Sequence, residues 1–90
     1  MYRLLYYESK ALLRDRKKLF KDKSAFVFIQ ESIGKLALDP FSHTLNIKKL
    51  HASEDATFRL RCGKWRILFD IDSQNKIIII YRMKQRKEGY

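Results

Sequence analysis

The sequence predicts an α+β fold in which an opening strand and a two-helix antiparallel hairpin pack on a twisted, mostly antiparallel sheet, in the order β-α-α-β-β-β. Apolar residues recur at helical spacing between Ser9 and Asp39, whereas period-two and β-branched runs fill Thr57 to Arg82, and the two patterns do not interleave. Length sets the scale. Ninety residues, 46% of them hydrophobic, supply one core, so the chain reads as a single domain over residues 1–90.

Tyr2 to Tyr7 is aromatic and aliphatic without turn formers, an opening strand buried on at least one face. Ser9 is a candidate N-cap for a strongly basic first helix whose apolar stripe is Leu12, Leu13, Leu19 and Phe20. Lys21 to Ser24 breaks that helix. Ser24 is then the candidate cap of a second, with Phe26, Ile29, Ile33 and Leu36 at helical spacing and an end before Pro40, because the residue preceding a proline avoids the α region. So short a connection folds the two helices into a hairpin. Asn46 to Leu50 is a candidate short strand. Thr57 to Cys62 alternates Phe58, Leu60 and Cys62 with Thr57, Arg59 and Arg61, which puts both arginines on one face. Gly63-Lys64 turns the chain into Trp65 to Ile71, and Asp72 to Asn75 makes the next turn. Lys76 to Arg82, with four isoleucines, reads as a central strand covered on both faces, and Met83 to Tyr90 as a basic tail.

Twenty Lys and Arg against ten Asp and Glu give a net charge of +10, a potential that concentrates polyanions. Nucleic acid is the first expectation, and an acidic partner protein the alternative. A lone cysteine, Cys62, excludes an internal disulfide and a multi-cysteine zinc site and fits a reducing compartment, so the cytoplasm is expected. The opening MYRLLYYESK lacks the apolar region of a secretory signal, and no window approaches the roughly 20 apolar residues of a membrane span. His43 and His51 stand apart with no ligand motif, the glycines at 34, 63 and 89 form no phosphate loop, and Cys62 ends an amphipathic strand. No metal, cofactor or thiolate nucleophile is expected.

Cations gather instead in the last third: Arg59, Arg61, Lys64, Arg66, Arg82, Lys84, Arg86 and Lys87, interleaved with Trp65, Tyr81 and Tyr90. Guanidinium groups bind phosphates bidentately and aromatic faces stack on unpaired bases, a mixture suited to single-stranded RNA. The plain alternative is a solvated basic face. Against it, Arg59 and Arg61 share one side of a strand with Arg66 just across the hairpin, and like charges placed together imply an anion that offsets their repulsion.

The segment Phe58-Arg-Leu-Arg-Cys-Gly-Lys-Trp-Arg-Ile-Leu-Phe-Asp-Ile71 resembles the hairpin of the RelE branch of the RelE/ParE toxin superfamily, with its basic strand, glycine turn and aromatic-Arg pair. Ile77 to Tyr90, with an arginine four residues before a final tyrosine, is similar to the C-terminus of the same family. The resemblance implies the toxin of a toxin–antitoxin pair, a metal-independent endoribonuclease that cleaves mRNA on the ribosome by 2′-hydroxyl attack on the adjacent phosphate. It implies catalytic roles for Arg66 on the scissile phosphate, for Arg61, Lys84 and Arg86 as further phosphate-binding cations, and for Tyr90 as general base. Arg59, Lys64, Trp65, Arg82 and Lys87 are then RNA-binding candidates, the alternatives being Trp65 as a sheet-packing aromatic, the favoured reading for it, and Lys64 and Lys87 as solvated turn charges. Some positions depart from the pattern: Trp65 and Phe69 stand where tyrosines are common, His51 where many relatives have glycine, and Lys84 where RelE has arginine. The implied partners are a cognate antitoxin, the ribosome and mRNA. A ParE-like inhibitor of DNA gyrase and a non-catalytic RNA- or ribosome-binding module are the rival readings.

Overall fold

The computed structural model describes residues 1–50 and 56–85. The elements run β1 (Arg3–Tyr6), α1 (Lys10–Phe20), α2 (Lys23–Leu38), β2 (Ile47–Lys49), β3 (Phe58–Cys62), β4 (Trp65–Asp72) and β5 (Ile77–Gln85). This is the expected fold with the candidate strand at β2 formed, which makes the order β-α-α-β-β-β-β. The five strands make one sheet in the order β1-β5-β4-β3-β2. β1 lies parallel to β5, and every other pairing is antiparallel.

Ser9 caps α1, its hydroxyl accepting from the Leu12 N–H at 3.0 Å. The buried stripe of this helix is Leu12, Asp15 and Leu19, while Leu13 and Phe20 are exposed, contrary to the apolar stripe read from sequence. Positions 12, 15 and 19 stack on one face at 3.6 residues per turn, whereas 13 and 20 lie about 100° further round. The cap of α2 is Asp22 and not Ser24: the Asp22 carboxylate accepts from the Ala25 N–H at 3.1 Å, which places Ser24 inside the first turn. Ile29, Ile33 and Leu36 are buried as their spacing requires. They meet Leu60, Cys62, Trp65, Ile67, Phe69, Ile78, Ile80 and Met83 from the sheet in one core between the helices and one sheet face.

β3 and β4 join through Gly63-Lys64, with Cys62 opposite Trp65. Gly63 has φ 59°, the positive value that a two-residue hairpin turn needs at its first central position and that a side chain would strain. β5 is central, between β1 and β4, and runs three residues further than the isoleucine-rich run, so Met83 to Gln85 belong to the sheet and not to a tail. Its burial is one-sided: Ile78, Ile80 and Met83 enter the core, whereas Ile77 and Ile79 are half-buried. The expectation of two covered faces fails because both helices pack on the same side. Among the described residues no helix is long and apolar enough to cross a membrane.

One irregularity governs the join between helix and sheet. β1 pairs with β5 as far as Tyr6 opposite Ile80, and the Tyr7 N–H donates to the Ile80 carbonyl at 2.9 Å. On the other side Leu68 faces Arg82 while Phe69 faces Ile80, which leaves Tyr81 as the extra residue of a β-bulge. Beyond the bulge β1 has ended, and Asp15 of α1 takes over: its carboxylate accepts from the Met83 N–H at 3.0 Å and from Arg82 Nε and Nη2 at 2.7 and 3.1 Å. Asp15→Ala leaves a partly buried guanidinium and a buried strand N–H without this acceptor, a loss of about 3 kcal/mol. A thermal melt is expected to show Tm lowered by about 10 °C or more. A shift under about 3 °C would show that the pair is incidental.

Candidate functional site

Alternation along β3 and β4 sends Leu60, Cys62, Trp65, Ile67 and Phe69 to the core. The intervening residues, Arg59, Arg61, Arg66, Leu68 and Asp70, stand on the other face of the sheet. Leu68 marks that face clearly, being 7% exposed yet outside the core cluster. Register then assembles the cations into rows. Arg61 lies opposite Arg66, and Arg66 opposite Lys84, so three positive side chains line up across three adjacent strands. In the next row Lys48 of β2 lies opposite Arg59, which lies opposite Leu68.

Directly opposed residues on adjacent strands have Cβ atoms about 5 Å apart, where like charges destabilise the pairing. Arg59 carries the clearest sign of this. Its guanidinium is pulled below the usual arginine value, first by desolvation and then by Arg61 and Arg66. Arg59 Nε is buried with no hydrogen-bond partner among the described residues. A phosphate brought against this face would meet Arg59, Arg61, Arg66 and Lys84 together.

Arg59, Arg61, Arg66 and Lys84, read from sequence as site residues, are thus brought together, and Lys64 lies exposed in the adjoining turn. One candidate goes elsewhere, and another is already engaged. Trp65 is 4% exposed in the core beneath the helices, because it follows the parity of Ile67 and Phe69 and not that of Arg66. Arg82 lies opposite Leu68 on this face by register, and its guanidinium is held by Asp15 of α1. Arg86, Lys87 and Tyr90, together with His51, lie outside the described residues. Cys62 is buried, and burial pushes its thiol up, opposed by a hydrogen bond with Ser32, so it remains a protonated core side chain.

Two residues of this face, Lys48 and Asp70, carry no mark in the sequence, and Tyr81, already singled out among the aromatics, joins them. Lys48 joins it only through the β2–β3 register, although the alternation of Leu45 and Ile47 toward the core hints at its direction. Asp70 and Tyr81 form a polar pair at the other end: Asp70 accepts from the Thr57 N–H at 2.6 Å and from the Tyr81 hydroxyl, and Tyr81 is raised first by burial and then by the Asp70 charge. The Tyr81 ring meets Tyr7 with centroids 5.1 Å apart and planes tilted by 49°. Among the described residues no three His, Cys, Asp or Glu side chains gather as a metal site would require.

A helical hairpin on one face of a five-stranded sheet and a cationic opposite face define the class: this chain has the fold of the RelE-like toxin superfamily. It superposes over 98% of its length on 98% of a chain in the archaeal RelE–RelB complex of Pyrococcus horikoshii, with TM-score 0.74 and 22% identity. A chain of the toxin–antitoxin complex RelBE2 from Mycobacterium tuberculosis matches 94% of this chain over 98% of its own, with TM-score 0.69 and 27% identity. A metal-bound toxin from Helicobacter pylori matches over the full length of both chains, with TM-score 0.75 and 17% identity. No protein-family model matches the sequence, and no curated protein is significantly similar to it.

If the cation rows oppose one another, removing one charge stabilises the protein. Arg61→Gln, which keeps much of the exposed stem, is expected to gain about 0.5 kcal/mol in low salt, a rise in Tm of about 2–4 °C. At about 1 M salt, where the screening length is about 3 Å, the gain disappears. An unchanged or lower Tm in low salt would mean that the row is electrostatically relaxed without a ligand.

Proposed function

We propose that this chain is the toxin of a toxin–antitoxin system and acts as a ribosome-dependent endoribonuclease on mRNA. The observation that carries the proposal is the row Arg61, Arg66 and Lys84, flanked by the desolvated Arg59: cations held against one another on one sheet face. Such a row is costly alone and favourable around a phosphate. Pairing on a rigid sheet also preorganises the donors, so little reorganisation is needed as charge builds on the phosphate oxygens.

In this reading the 2′-hydroxyl oxygen attacks the neighbouring phosphorus and the bond from phosphorus to the 5′ oxygen breaks. The products are a 2′,3′-cyclic phosphate and a 5′-hydroxyl, whose leaving oxygen takes its proton from solvent. Arg66, central in the row, holds the scissile phosphate and stabilises its pentacoordinate state, with Arg61 and Lys84 on either side and Arg59 orienting the backbone. Tyr90 takes the proton of the 2′-hydroxyl once nearby cations lower its pKa, and Arg86 adds charge there. The ribosome supplies the RNA geometry, an orientation effect that can reach roughly 7–11 kcal/mol, so a modest set of side chains suffices. The chain acts as one domain in the cytoplasm, with the exposed basic face of α1 (Lys10, Arg14, Lys17 and Lys18) toward ribosomal RNA. An acidic antitoxin segment that folds on binding fits the cationic sheet face.

Primer extension on a reporter mRNA in a reconstituted translation reaction tests this, with a ribosome-free control. Wild-type protein is expected to cut only with ribosomes, and Arg66→Ala to cut at least about 100-fold more slowly. Loss of cutting in Tyr90→Phe assigns the general base. Intact message in every lane would overturn the nuclease reading and turn attention to gyrase supercoiling and to plain RNA binding.

A further inference from the structure

A cleft of about 460 Å³ opens where β1 gives way to α1, lined by Tyr6, Tyr7, Lys10, Leu12, Leu13 and Arg16. Its size lies within the range of small-molecule sites, and its walls are mostly aromatic and aliphatic. Arg16 lies over the Tyr6 ring, 4.4 Å from the centroid, which sets a guanidinium at the cleft on an aromatic shelf. Tyr7, 53% exposed, belongs both to this cleft and to the ring pair with Tyr81. Tyr81 is in turn fixed by its hydrogen bond to Asp70, whose other contact is the Thr57 N–H.

The bulge therefore links two features that the sequence keeps apart. Tyr81 stands three residues before Lys84 on β5, about 10 Å along the strand at about 3.3 Å per residue. Tyr81 meets Tyr7, and Tyr7 lines the cleft together with the cations Lys10 and Arg16. A ligand suited to both ends needs an anionic backbone and flat apolar groups. Single-stranded RNA has both, and aromatic rings accept any base on a face.

We infer that the cleft walled by Tyr6 and Tyr7 is a nucleobase subsite, in which a nucleotide neighbouring the scissile phosphate stacks on Tyr7 while Tyr81, anchored by Asp70, holds the Tyr7 ring in place. This rests on the RNA-cleaving reading of the cationic face and adds to it a positioning element on β1. Glu8 and Ser9 are the remaining polar residues of the cleft wall.

Fluorescence anisotropy with a labelled 2′-O-methyl pentaribonucleotide, which cannot undergo 2′-hydroxyl attack, tests the subsite without ribosomes. Tyr7→Ala is expected to weaken binding about tenfold, and Tyr7→Phe to bind as wild type. One abasic nucleotide, moved along the oligonucleotide, is expected at one position to weaken wild-type binding by a similar factor and to have no further effect on Tyr7→Ala. Wild-type affinity in Tyr7→Ala, lost affinity in Tyr7→Phe, or multiplied losses at every abasic position would overturn the inference. Circular dichroism melts confirm that the Tyr7 variants are folded, as expected for a half-exposed side chain. Arg61→Gln run alongside separates the two levels. If it weakens binding and flattens the salt dependence while the tyrosine variants do not, the subsite alone falls; if it changes nothing at any salt, the RNA reading of the face falls and the subsite with it.

Discussion

The contact on which the rest of the structure depends is the acceptance by Asp15 of the Met83 N–H and the Arg82 guanidinium. A parallel pairing that stops at Ile80 leaves β5 with an unpaired edge just where it must continue into the cationic region. Burying strand N–H groups without acceptors costs free energy, so either β1 must be longer or another element must supply oxygen. The first helix does so with one carboxylate. The same contact ties α1 to β5, holds the Arg82 guanidinium, and lets the bulge at Tyr81 persist.

The two faces of the sheet answer opposite requirements. One is a dry core in which Ile29, Ile33, Leu36, Phe69 and Ile80 are almost wholly removed from water. The other gathers cations in direct opposition on adjacent strands and leaves Arg59 Nε without a partner among the described residues. Stability comes from the first and is spent on the second. A sheet is well suited to this division because alternate side chains point to opposite faces, so a binding surface can change without disturbing the packing beneath it.

Much of this was legible in the residues themselves. The alternation of Phe58, Leu60 and Cys62 with Arg59 and Arg61 announces both faces of β3, and the spacing of Ile29, Ile33 and Leu36 announces the buried side of α2. What escaped had nonlocal causes. Asp15 sits among basic residues and reads as solvated until β5 is placed beside it. Trp65 differs, because strand alternation, a local pattern, already sets it on the face opposite Arg66 as a sheet-packing aromatic. Lys48 is an ordinary surface lysine until a three-residue strand sets it opposite Arg59. The strand β2 was legible as a candidate, but its register depends on partners at a distance that no local pattern records.

β2 closes the sheet on that side with three residues, Ile47 to Lys49, two of them exposed lysines. A bare strand edge invites a second copy to extend the sheet, the route to fibrils and precipitates. Here an antiparallel self-pairing would crowd Lys48 and Lys49 against their own copies. The cations that make the face attractive to a polyanion thus also keep the chains apart from one another. Solubility and ligand choice are set by the same side chains, so neutralising the edge to tighten the fold would trade a dispersed protein for one prone to stack.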